Sequence, residues 1–100
     1  MLVFTRKALG ECVNSADSLV VIGLGYVGLP LAHEAQHGGL RVTGIDVSAT
    51  VVDTLNSGLS HIDDISNEQV ADMLEQGFLA TTDDSVIANA DVVVISVPTP

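Results

Sequence analysis

The chain has 100 residues, 47% of them hydrophobic and 16% charged, a composition that can bury a modest single core and excludes a disordered chain. Three basic residues against thirteen acidic ones give a formal charge of -10, a field that repels nucleic-acid phosphates and anionic membrane surfaces, so neither is an expected partner. A lone cysteine, Cys12, excludes an internal disulfide framework and a thiolate-rich zinc site; with no apolar run near the roughly 20 residues of a membrane span and no signal-peptide pattern after Arg6 and Lys7, a cytoplasmic setting is expected.

Residues 1–18 show no sustained hydrophobic period and end in the polar stretch from Asn14 to Ser18. They read as an N-terminal extension, with a short helix as its one candidate element. Leu19 to Ile22 form a short β-branched run stopped by Gly23, the pattern of a buried parallel strand. Pro30 must sit in the first turn of the next helix, where its missing N–H has no intrahelical acceptor to lose, so that helix begins near Val27. Gly38 and Gly39 end it. Arg41 to Asp46 predict a second strand, and Ala49 to Ser57 a second helix with Val51, Val52 and Leu55 apolar and Gly58 as its stop.

The segment from Leu59 to Ile65 reads as a polar loop. Ser66 with Gln69 fits a capping box for a helix that carries Val70, Met73 and Leu74 on one side and Gly77 beyond its end. Phe78 to Thr81 predict a short third strand, Asp83 a cap for a helix over Asp84 to Asn89, and Val92 to Val97 a fourth apolar strand stopped by Pro98. The order β-α-β-α-α-β-α-β implies right-handed crossovers and an α/β, Rossmann-like doubly wound parallel sheet, truncated after its fourth strand. Residues 19–100 are then the N-terminal part of a dinucleotide-binding domain.

Gly23, Gly25 and Gly28 give G-x-G-x-x-G at the junction of the first strand and helix. In that context the first glycine makes the tight turn, the second lets the backbone approach a pyrophosphate and the third lets the helix pack against the strand. The helix N-terminus would meet the anion with backbone N–H groups and the positive end of its dipole, without needing a lysine. Asp46 lies 18 residues after Gly28 at the end of the second strand, the place of the acid that binds an adenosine ribose. Its charge disfavours a 2'-phosphate and residues 47–50 contain no arginine, so NAD is expected rather than NADP. Val97, Pro98 and Thr99 fall at the crevice where the strand order reverses.

His33, Glu34 and His37 overlap this helix and spell H-E-x-x-H, a metalloprotease zinc motif. No third ligand follows at a supporting spacing; His61, Asp63 and Asp64 are the downstream candidates. With Gly28 facing the sheet, Leu31, Ala32 and Ala35 fall on the buried side and both histidines point away, a solvated pair rather than a zinc site. His61 reads as a solvated loop residue bordering the cofactor side. Met73 reads as core, and the pairs Asp63-Asp64 and Asp83-Asp84 as loop and cap charges.

VVIGLGYVGLPLA, VTGIDVS, LNSGLSHIDD, FLATTD and ADVVVISVPTP, in register over residues 19–100, resemble the N-terminal NAD-binding domain of the UDP-glucose and UDP-N-acetylmannosamine dehydrogenases. GYVGLP and VPTP carry the resemblance more specifically than the glycine spacing, and SHIDD is closest to the bacterial and archaeal UDP-N-acetylhexosamine enzymes. The resemblance implies oxidation of a sugar C6 alcohol to the carboxylate with two NAD, through a thiol-bound intermediate on a cysteine far downstream that Cys12 does not match. It implies a pyrophosphate held by the backbone at Gly25, Tyr26 and Val27, an adenosine ribose on Asp46, and a nicotinamide beside Pro98 and Thr99. Thr50 stands where many members have a basic residue. The full-length enzyme is expected to be a homo-oligomer acting on a UDP-sugar; these residues alone, an N-terminal fragment without the catalytic group, are expected to be inactive and to expose a sheet edge that favours association. A hydroxyacid or hydroxyacyl-CoA dehydrogenase, and a nucleotide-sensing domain of a potassium transporter, share the opening motif and are the alternatives.

Overall fold

Three of the apolar runs pair side by side in a computed structural model that describes residues 2–5 and 18–96. The five strands are β1 (Leu2–Thr5), β2 (Ser18–Ile22), β3 (Arg41–Ile45), β4 (Leu79–Thr81) and β5 (Val92–Ile95), in the sheet order β1-β5-β2-β3-β4. β2 is central and pairs in parallel with β3 on one side and β5 on the other; β3 pairs in parallel with β4. The first and fourth of the parallel strands are therefore neighbours, as a doubly wound sheet requires.

Leu19, Val20 and Val21 of β2 are all buried, which only a strand covered on both faces can achieve. On one face Leu19, Val21, Val42 and Val94 pack with residues of α1 (Gly28–His37), α2 (Ala49–Asn56) and α3 (Asn67–Glu75). On the other, Val20 and Ile45 meet Ala90, Val86 and Ile87 in a smaller cluster beneath a 3-10 helix, Asp84–Asn89. The predicted fourth helix is thus a 3-10 turn, capped as expected: the Asp83 carboxylate accepts the Ser85 N–H at 2.9 Å, and that bond lowers its pKa.

The expected extension is corrected at its start. Residues 2–5 are a strand, antiparallel to β5 in the register Leu2↔Ile95 to Thr5↔Val92. Four residues are too few to show a period, and what orders them is the row of backbone groups that β5 would otherwise present to water. β5 is therefore an interior strand, and β1 takes its place at that edge of the sheet. Cys12 and any helix in the extension lie outside the described residues.

Helix ends follow local rules. α3 carries the full capping box: Gln69 N–H donates to Ser66 Oγ at 3.1 Å, and Ser66 N–H to Gln69 Oε1 at 2.8 Å. All three α-helices close in the same way, with a glycine at positive φ followed by an apolar residue whose N–H reaches back to the last turn, Leu40 to Ala35, Leu59 to Thr54 and Phe78 to Met73. The buried stripe of α1 differs from the expected one. It runs through Gly28, Leu29, Ala32 and Gln36, while Leu31 and Ala35 are only half-buried, because the stripe centres near Ala32 with Gly28 at its edge rather than on Gly28 itself. Gln36 is tolerated there because its Nε2 donates to the Met73 carbonyl at 2.9 Å, joining α1 to α3.

On the other edge of the sheet, the outward backbone groups of Ala80 are paired by one side chain. Asn56 Nδ2 donates to the Ala80 carbonyl at 2.8 Å and Asn56 Oδ1 accepts the Ala80 N–H at 3.1 Å, so a carboxamide stands where another strand would pair. Replacing Asn56 by Ala is expected to cost about 1 kcal/mol, since water can reach the vacated groups, and to lower the melting temperature by roughly 4–8 °C. Thermal denaturation followed by circular dichroism checks this; an unchanged midpoint would remove the edge role of Asn56.

Candidate functional site

The carboxyl ends of the parallel strands are laced together beyond the strands themselves. Gly23 N–H donates to the Ile45 carbonyl and Ser96 N–H to the Ile22 carbonyl, each at 2.7 Å, and Asp46 N–H to the Thr81 carbonyl at 3.1 Å. The turn from β2 into α1 leaves from this rigid rim. Gly23 has φ +98°, a conformation costly for residues with a Cβ. At Gly28 the constraint is steric, since a Cβ would lie 1.7 Å from the Gly23 carbonyl oxygen.

Gly25 is different. Its φ is not positive, and a Cβ there would meet nothing within 4 Å. Neither conformation nor packing demands glycine at 25; the open space above the turn is what a side chain would fill. Leu24 anchors the turn from below, fully buried in room made by Gly44, whose own Cβ would come within 2.6 Å of a Leu24 methyl. Tyr26 and Val27 face outward and are exposed. Among the described residues no side chain caps α1, and its first turn holds no carboxylate to meet the positive end of its dipole.

Asp46 is fixed by two backbone donors. Its Oδ2 accepts the Leu24 N–H and its Oδ1 the Ser48 N–H, both at 2.9 Å. Ser48 in turn caps α2 by accepting the Val51 N–H. Each carboxylate oxygen keeps acceptor capacity for a further hydrogen bond, so a diol can be received without moving the side chain. Gly23, Gly25, Asp46, Val47, His61 and Ser96 all line one cavity of about 390 Å³ at this end of the sheet. A larger hollow of about 710 Å³, by Ser18, Arg41 and Gln76, lies at the opposite ends of the strands, whereas ligands of open parallel sheets bind beyond the carboxyl ends.

The structure thus gathers Gly23, Gly25, Tyr26, Val27, Gly28 and Asp46 around one turn. Val97, Pro98 and Thr99 lie outside the described residues, which stop at Ser96 on the wall of the cavity. Sequence reasoning missed Leu24 with Gly44, a fit visible only once two strands are paired, and it put His61 on the cofactor side but left it in solvent. Far from being a solvated loop residue, His61 is half-buried on the cavity wall, and its Nδ1 is buried without a hydrogen-bond partner among the described residues. Buried Ile62 and Ile65 on the same loop explain why: a segment that looks polar is pinned to the core.

His33 and His37 stack along α1, ring centroids 6.3 Å apart, and His37 is exposed. The described residues contain no group of three or more His, Cys, Asp or Glu side chains placed to hold a metal ion. None of their helices is long and apolar enough to cross a membrane. Asp63, Asp64, Asp83 and Asp84 are all exposed, as loop and cap charges would be.

Residues 17–100 match the UDP-glucose/GDP-mannose dehydrogenase family, NAD binding domain. The chain is 41% identical over 87 residues to a UDP-N-acetyl-D-mannosamine dehydrogenase of Salmonella typhi, covering 86% of this chain and 20% of that protein. It is 35% identical over 89 residues to the enzyme of the same name from Campylobacter jejuni, covering 88% of this chain and 21% of the relative. Among solved structures, UDP-D-ManNAc dehydrogenase from Pyrococcus horikoshii superposes with a TM-score of 0.77 at 32% identity, over 83% of this chain and 20% of that one. A UDP-glucose dehydrogenase from Pyrobaculum islandicum gives 0.75 at 32% identity, over 84% and 21%. The chain therefore spans about a fifth of the length of these relatives.

The two glycines of the turn should separate folding from binding. Gly28→Ala is expected to lose about 3 kcal/mol of stability, because a Cβ against a backbone carbonyl forces α1 away from β2. Gly25→Ala should leave stability within about 0.5 kcal/mol while weakening dinucleotide binding. Urea titration of both variants with ligand titration of the second tests this, and a Gly25→Ala protein that binds as tightly as the wild type would refute it.

Proposed function

The chain belongs to the UDP-glucose/GDP-mannose dehydrogenase family through the NAD-binding domain at residues 17–100, and from that premise we propose that the whole protein oxidises the C6 alcohol of a UDP-sugar to the carboxylate, consuming two NAD. A UDP-N-acetylhexosamine is the favoured substrate, in keeping with the names of the relatives reported above. When bound, NAD supplies a hydride acceptor. The residues described here hold and orient it: the turn at Gly25, Tyr26 and Val27 and the N-terminus of α1 receive the pyrophosphate, and Asp46 receives the adenosine ribose.

The observation that carries this reading is the Leu24 N–H to Asp46 Oδ2 bond at 2.9 Å, which makes the pyrophosphate turn and the ribose acid one rigid unit. The same carboxylate repels a 2'-phosphate, and the following residues, Val47 to Thr50, offer no cation to offset it. On the family resemblance, Val97, Pro98 and Thr99 continue from Ser96 to the nicotinamide side. The thiol that would carry the sugar through its second oxidation comes from residues other than these, so this chain alone binds cofactor and does not turn over substrate.

Asp46→Ala is expected to weaken NAD about tenfold, the loss of roughly 1.4 kcal/mol that one charge-assisted hydrogen bond supplies. Calorimetry checks it, and equal affinity in the two proteins would strip Asp46 of its role. For the reaction, the full-length protein given UDP-N-acetyl-D-mannosamine should release two NADH per sugar, followed by absorbance; one NADH per sugar, or none with any UDP-sugar, would overturn the assignment.

A further inference from the structure

We propose that His61 is a hydrogen-bonding contact to the adenine of the bound dinucleotide, reading the base from the loop between α2 and α3; the inference rests on the NAD-site reading above. Three observations converge on it. His61 lines the same cavity as Asp46, Val47 and Val51, so it shares the wall beyond the residue that receives the adenosine ribose. Its Nδ1 is buried and unpartnered among the described residues, and a buried polar atom left without a partner carries a penalty that a ligand's hydrogen bond would recover. Val47, next to Asp46 and on the same cavity wall, is 99% exposed, an apolar side chain against which the flat face of a base can pack.

The loop is built to hold the backbone at His61 still. On one side Ser60 N–H donates to Asn67 Oδ1 at 2.8 Å, and Ser60 Oγ both donates to the Ile62 carbonyl at 2.7 Å and accepts the Ile62 N–H at 3.2 Å. On the other, Ile62 and Ile65 are buried in the main core. The backbone of His61 therefore sits between fixed points, so only the side chain's own torsions need settle for a ring nitrogen to meet a ligand. Charge selects the kind of ligand. Asp46 on the cavity wall and Asp63 and Asp64 on the same loop disfavour a phosphate at this place, whereas adenine is neutral. Its edge offers both acceptors and an amino donor, and so can meet either tautomer of the histidine.

The test compares wild type, His61→Leu, His61→Asn and Asp46→Ala in the full chain, titrated calorimetrically with NAD and with nicotinamide hypoxanthine dinucleotide, which alters the base edge alone. His61→Leu should bind NAD about tenfold more weakly and lose the wild-type preference for adenine over hypoxanthine. His61→Asn, which keeps a polar atom near the Nδ1 position, should stay within about threefold. In wild type, the ¹⁵N resonance of His61 Nδ1 should move on adding NAD and stay still on adding nicotinamide mononucleotide, a measurement that needs no variant. If Asp46→Ala weakens NAD while His61→Leu binds as wild type and the Nδ1 resonance is unmoved, His61 has no such role and the cofactor site stands. If Asp46→Ala and His61→Leu both bind as wild type, the cofactor-site reading falls and takes this proposal with it.

Discussion

The contact between Gly28 and the carbonyl of Gly23 is the constraint from which the site follows. With no atom beyond Cα at 28, helix α1 begins directly against the end of β2 rather than a side chain's width away. That closeness brings the N-terminus of α1 to the rim where Gly23, Asp46 and Ser96 already extend the ladder of the sheet. It also fixes the rotation of α1, which is why a glutamine at 36 lies in the core and both histidines of the apparent zinc motif lie off the buried stripe. A helix displaced by one methyl group would keep its sequence pattern and lose the geometry.

Asp46 then serves two masters with one carboxylate. Towards the protein it accepts from Leu24 and Ser48, tying the glycine turn to the first turn of α2. Towards the cavity it keeps the capacity to accept from a ligand. Preorganisation of this sort lowers the ordering cost of any contact made through the carboxylate, since the acceptor is already held in place. Asp46 is therefore a strut between two elements, and its variants disturb the turn itself.

What was legible in the sequence is what local chemistry decides. The apolar runs at 19–22 and 92–97 announced buried strands, the second of them observed over Val92–Ile95, Ser66 with Gln69 announced a helix start, and Gly23, Gly28 and Asp46 announced a tight turn tied to a carboxylate. What was not legible depends on partners distant in the chain. Leu2 to Thr5 are ordered by β5, some ninety residues away. Gln36 reads as surface until Met73 supplies its carbonyl. The loop at 59–65 reads as solvent until Ile62 and Ile65 find the core and draw His61 inward. Gly44 looks like an indifferent strand glycine until Leu24 is seen to need its missing side chain.

The antiparallel seam between β1 and β5 carries a consequence for the order of assembly. β1 and its partner are the most widely separated paired strands in the described sheet, with Leu2 opposite Ile95. Every parallel pair, by contrast, joins strands nearer in the chain or closes once β5 is made against β2. Loop-closure entropy therefore sets this seam after the parallel pairs in the order of folding, laid onto a sheet that must first exist without it.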